Sequence, residues 1–109
     1  MVKFILLIPL NYNDGLEVPE EIFEGMLDEI FSLAEGFTVL PKVRGAYLMA
    51  DGSKQVDWSS PIWITLEESM IDALKELVGS FAERLGQESM YLERTESTVE
   101  FIYPLTDED

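Results

Sequence analysis

The chain has 109 residues and sets 22 Asp and Glu against 7 Lys and Arg, with no His and no Cys, for a formal net charge of −15. Without imidazole or thiol it can form no Ser-His-Asp triad, no cysteine nucleophile and no ordinary zinc site, and it lacks the excess of cations that binds phosphate backbones. The length is that of one domain, and 47% apolar residues suffice for a core without disulfides or metal.

The first apolar run, Val2 to Ile8, is apolar at both parities except at Lys3, which predicts a strand covered on both faces and central in its sheet. It leads into Asn11-Tyr12-Asn13-Asp14-Gly15, a turn with no small-residue cleavage pattern, so it reads as a strand of a cytoplasmic protein rather than a leader. From Pro19 to Glu35 apolar residues recur at helical spacing, with Pro19 at a first-turn position and Gly36 as a stop. Phe37 to Leu40 and Gly45 to Ala50 read as one interrupted strand, with Pro41 and Gly45 marking a bulge between them. Asp51-Gly52 turns the chain into a return strand, Lys54 to Asp57 and Ile62 to Thr65, broken at Trp58-Ser59-Ser60-Pro61.

Thr65-Leu66-Glu67-Glu68 has the pattern of a capping box. It opens a second helix whose apolar stripe runs from Met70 to Leu85 and which Gly86 ends. Ser89 to Arg94 and Thr98 to Tyr103 flank a polar turn and predict a closing hairpin, and Pro104 to Asp109 predicts an acidic, frayed tail. The order is β-α-β-β-α-β with one added strand. It predicts one α+β domain over residues 1–103 with the ferredoxin-like split β-α-β architecture, two helices on one face of a mixed, mainly antiparallel sheet.

In that architecture the second sheet face has no cover of its own. Strand parity sends Trp63, Tyr47, Tyr91 and Met49 to it if Ile62, Ile64, Ala46, Leu48, Met90 and Leu92 face the helices. This is more aromatic area than a monomer leaves wet. The leading expectation is therefore a binding or regulatory module that self-associates through the sheet face, a homodimer being the expected state. The alternative is a small His-free enzyme or ligand-binding protein, with Thr38, Lys42, Arg44, Tyr47, Trp63, Gln87, Glu88 and Tyr91 as the polar and aromatic groups of its pocket. No cofactor motif is present: the chain has no phosphate-cradling Gly loop, dinucleotide fingerprint or nucleophile elbow.

Glu17, Glu21, Glu24 and Asp28 fall near one side of the first helix. They suggest a third possibility, an acidic inhibitor that imitates nucleic acid and docks on a basic protein. Carboxylates in a line on a rigid helix do not wrap a cation, so no metal site is expected. Direct nucleic-acid binding and membrane association are not expected either.

Gly36-Phe37-Thr38, Gly45-Ala46-Tyr47, Asp51-Gly52, Asp57 and Leu85-Gly86-Gln87-Glu88-Ser89-Met90-Tyr91-Leu92 form a wider pattern. It resembles small bacterial ferredoxin-like proteins of uncharacterised function, which share a Gly-x-Thr segment, a Gly-x-(Trp or Tyr) strand and a Gln-Glu before the last hairpin. The resemblance spans about residues 36 to 103. It implies a ferredoxin-like fold and a site formed by Thr38, Tyr47, Gln87 and Glu88 near adjoining strand ends.

Overall fold

The computed structural model describes residues 1–106. In chain order these form β1 (Val2–Pro9), α1 (Glu20–Phe31), β2 (Gly36–Val39), β3 (Val43–Leu48), β4 (Lys54–Leu66), a 3-10 turn (Glu68–Met70), α2 (Ile71–Leu85) and β5 (Leu92–Thr95). β4 lies between β1 on one side and β2 and β3 in succession on the other, and β5 closes the far side of β1. Every strand pairing is antiparallel, so the expected mixed character is absent among the described residues. The order and the crossovers are those of the ferredoxin-like split β-α-β fold.

Alternation decides where the core sits. Phe4, Leu6 and Ile8 of β1 and Ile62, Ile64 and Leu66 of β4 project to one face and are essentially excluded from solvent. Against them pack Met26, Leu27 and Ile30 of α1 and Leu74, Val78, Phe81 and Leu85 of α2. At about 1.5–3 kcal/mol for each fully buried large side chain, this layer is the dominant source of stability. Lys3, Ile5 and Leu7, at the other parity, are only half-buried on the opposite face.

β2 and β3 are one interrupted strand, as their composition suggests. Val39 pairs with Ile62 and Val43 with Ser59, so four steps on one side match three on the other. That single extra residue is a bulge around Leu40-Pro41-Lys42, and it exchanges the faces: Thr38 and Tyr47, an odd number of residues apart, both project away from the helices.

The expected break at Trp58–Pro61 does not occur, and β4 runs unbroken through it. The reason is local. The Leu7 N–H donates to the Tyr91 carbonyl on the β5 side, so Pro61, opposite Leu7, turns its own backbone nitrogen towards the bulge. There the ladder is already interrupted, and a missing donor forfeits no strand bond. The Pro61 carbonyl still accepts from the Leu40 N–H at 2.9 Å.

Four further expectations are corrected. α1 ends at Phe31, with turns from Ser32 to Glu35. The capping box does not form, because Thr65 remains in β4 paired with Lys3 and Gly36, and α2 begins only after the 3-10 turn. Ala46 and Leu48 do not face the helices, since the β3–β4 hairpin reaches past the helical layer and leaves both exposed. Finally, Thr98–Tyr103 forms no strand and does not return along β5, whose outer edge stays unpaired among the described residues. Phe101, Ile102, Tyr103 and Leu105 are exposed instead. Of the expected tail, residues 107–109 lie outside the described residues.

Both projections lengthen the molecule. It measures 64 × 25 × 22 Å, with a radius of gyration of 16.3 Å, against about 13 Å for a compact chain of this size.

Candidate functional site

A cavity of about 460 Å³ opens on the face of the sheet that the helices do not cover. Three elements enclose it: the C-terminal end of β1 with Leu7 and Pro9, the β3–β4 hairpin, and the connection from α2 to β5. The hairpin contributes Tyr47, Met49, Gln55, Asp57 and Ser59, which share one face through the register Tyr47 opposite Gln55. The connection contributes Gln87 to Leu92.

Glycine shapes two of these walls. Gly86 takes φ 65° at the end of α2, a left-handed conformation that side chains with a Cβ disfavour. It reverses the chain so that Gln87 and Glu88 meet the cavity while the Gln87 N–H donates to the Ala82 carbonyl at 2.9 Å. Gly45 lies under the Tyr47 ring, and a Cβ there would stand 2.6 Å from the Tyr47 hydroxyl. The missing side chain lets the phenol lie along the strand.

Among the polar groups Asp57 and Glu88 are acidic and none is basic. Asp57 receives both of its hydrogen bonds from Gln55 Nε2, at 2.9 and 3.0 Å, and has no ion-pair partner among the described residues. The Tyr91 hydroxyl donates to Glu93 at 2.8 Å. That hydrogen bond, and then the Glu93 charge, hold the Tyr91 phenol above its ordinary ionisation range. Gln87 Nε2 donates at 3.4 Å to the Asn11 carbonyl, tying the connection to the loop after β1.

Of the residues proposed from sequence, the fold brings Tyr47, Gln87, Glu88 and Tyr91 into this one cavity. Trp63 and Thr38 are cross-strand partners on the same open face but do not line it. The Trp63 ring is 40% exposed and carries the Lys3 ammonium 4.0 Å from its centroid. Arg44 lies opposite Trp58 on the other face of the hairpin, and Lys42 stands 5.0 Å from the centroid of that indole. Glu21, Glu24 and Asp28 are exposed along α1, and Glu17 is exposed in the loop before it. No group of three or more acidic side chains is placed to hold a metal ion among the described residues.

Sequence reasoning missed Leu7, Pro9, Leu48, Gln55, Asp57, Ser59, Ser89, Met90 and Leu92 as cavity residues. Alternation from Gln55 through Asp57 to Ser59 was the available signal, but the expected break at Trp58 concealed it.

No protein-family model and no curated protein matches the chain. Its structure is similar to that of a phage SAM lyase in complex with S-methyl-5'-thioadenosine, with a TM-score of 0.68 and 20% identity over 87% of this chain and 80% of that one. The apo form of a phage SAM lyase gives a TM-score of 0.65 and 20% identity, covering 98% and 90% of the two chains. CutA1 from Oryza sativa gives 0.66 and 20% identity, over 92% and 82%. These likenesses establish a shared fold. No helix among the described residues is long and apolar enough to cross a membrane.

Proposed function

We propose that this chain is a self-associating small-molecule-binding module, with its ligand in the cavity at the hairpin end of the open sheet face and that face covered by another copy. The observation that carries the reading is the composition of the face. Ile5, Leu7, Trp63, Tyr47 and Tyr91 project from it, Trp63 and Tyr91 at 40% and 50% exposure, a surface that proteins ordinarily cover with a partner or ligand. The polar groups beside it, Gln55, Asp57, Gln87 and Glu88, are the convergent anchors that a ligand site adds to apolar walls.

The likeness to the SAM lyase complex favours a second, more specific reading, in which the ligand is SAM and the chain acts on it. The chemistry of the cavity suits such a molecule. Phenol rings and methionine side chains offer faces to a flat purine, and Asp57 and Glu88 offer negative charge to a cationic sulfonium or amine.

Thermal unfolding in the presence of SAM or S-methyl-5'-thioadenosine tests both readings. A ligand at a hundred times its Kd stabilises by about 2.7 kcal/mol, and Glu88→Gln is expected to remove the shift given by SAM while leaving the unliganded transition in place. Two transitions unmoved by either compound would reject this ligand class, and formation of S-methyl-5'-thioadenosine from SAM would distinguish an enzyme from a binding protein. Light scattering at micromolar concentration is expected to give more than one chain per particle. A monomer would count against the covered face.

A further inference from the structure

We infer that the segment Thr98–Tyr103 of one copy adds as a strand to the free outer edge of β3 in the next copy, head to tail, and builds a wall of the cavity there. The inference rests on the self-association proposed above and specifies its geometry. Four independent features of the chain support it.

The first is the segment itself. Thr98-Val99-Glu100-Phe101-Ile102-Tyr103 has the β-branched and aromatic composition of a strand, yet among the described residues it pairs with no strand and leaves Phe101, Ile102 and Tyr103 at 61%, 83% and 79% exposure. The second is the edge. Among the described residues β3 pairs only with β4, so its other side presents unpaired backbone donors and acceptors over six residues, the length of the segment. An open edge flanked by exposed apolar residues, here Val43 and Leu48, is a template for strand addition.

The third feature is charge. In a chain of net charge −15, Lys42, Arg44 and Lys54 place three of its seven cations on the hairpin, whereas the stretch from Glu96 to Asp109 has five acidic residues and no basic one. The fourth is direction. Pro9 pairs with Ser59, so the hairpin tip extends past the C-terminal end of β1, while Lys3 pairs with Thr95, so β5 leaves the sheet at the N-terminal end. The segment and the hairpin thus depart from opposite ends of the sheet. A contact between one copy's segment and another's hairpin is heterologous, and it propagates until it closes into a ring.

Tyr47 and Leu48 of β3 line the cavity. A strand added beside them extends the sheet past its rim, and the alternate side chains of the incoming segment stand next to Tyr47. Without the neighbour that side of the site is open.

The test is a mixing experiment read by light scattering. One variant ends at Ser97; the other carries Lys42→Glu, Arg44→Glu and Lys54→Glu and keeps the segment. The full chain is expected to be oligomeric and each variant alone monomeric, with circular dichroism matching the full chain. A 1:1 mixture is expected to form a particle of two chains, because one intact segment then meets one intact hairpin and the contact cannot extend. Phe101→Asp, which preserves chain length, is expected to behave like the truncated variant. A truncated chain that keeps the full oligomeric mass overturns the inference while leaving sheet-face association standing, and a mixture that stays monomeric overturns it as well. A full chain that is itself monomeric removes both.

Discussion

The two faces of the sheet are made by the same strands and are both largely apolar, yet they end in opposite conditions. On one, Phe4, Leu6, Ile8, Ile62, Ile64 and Leu66 are sealed by α1 and α2. On the other, Ile5, Leu7, Trp63 and Tyr91 are left half-buried or exposed. Hydrophobicity at a strand position states only that the side chain gains by being covered. Whether the cover comes from the same chain depends on which side the crossover helices pack. The same contrast recurs along the long axis, where the sheet body is layered by helices and the hairpin and the C-terminal segment extend beyond them.

The sharpest way to break this contrast is to damage each face in turn. Phe81→Ala, in the sealed layer, is expected to cost about 3–5 kcal/mol in urea-induced unfolding, as large-to-small core changes do. An effect below about 1 kcal/mol would show that the layer is loosely packed. Trp63→Ala on the open face removes a half-covered indole and its contact with Lys3, and it is expected to cost about 1 kcal/mol in a dilute monomer. Its main effect should be on particle mass; equal losses from the two substitutions would mean that the faces do not differ.

Smaller perturbations sharpen the comparison within the open face. Gly45→Val forces the Tyr47 ring from its place, and because the ring end is free to swing, the stability change should stay below about 1 kcal/mol. Ligand-induced thermal shifts should nevertheless change, since Tyr47 lines the cavity. An unchanged shift would remove Tyr47 from the site.

The smallest effect expected is electrostatic. The Tyr91 hydroxyl donates to Glu93, which favours the neutral phenol and raises its pKa above the unfolded value of about 10. The stability from this bond is therefore fully present below pH about 10 and is lost as pH rises through the elevated folded value. In an absorbance titration, Tyr91→Phe should delete an ionisation that lies above the unfolded tyrosine value. Deletion of one at that value would mean that the hydrogen bond is not formed in solution.

Much of this was legible in the residues. The helical period around Met26 and Ile30, the unbroken apolar run of β1 and Gly86 at the end of α2 each act over a few residues, and the fold class followed from their order. Parity placed Trp63, Tyr47 and Tyr91 on the uncovered side. The unbroken course of β4 through Pro61 was not legible, because it depends on a bulge in the strand opposite. The capping box failed for a related reason: Thr65 is claimed by pairing with Lys3 and Gly36, and a local capping motif cannot register that competition. Of the residues singled out from the sequence, Tyr47, Gln87, Glu88 and Tyr91 line one cavity, whereas Arg44 lies on the other side of the hairpin.

The sequence by itself determined the order of the two helices and the main strands and which side chains require cover, because those properties follow from short-range periodicity and from the chemistry of each residue. Only the tertiary structure decided how far the hairpin outreaches the helices, which residues converge on the cavity, and that Thr98–Tyr103 finds no partner strand among the described residues. These depend on register and on the relative lengths of elements distant in sequence, and a shift of one residue in a ladder moves every side chain to the opposite face.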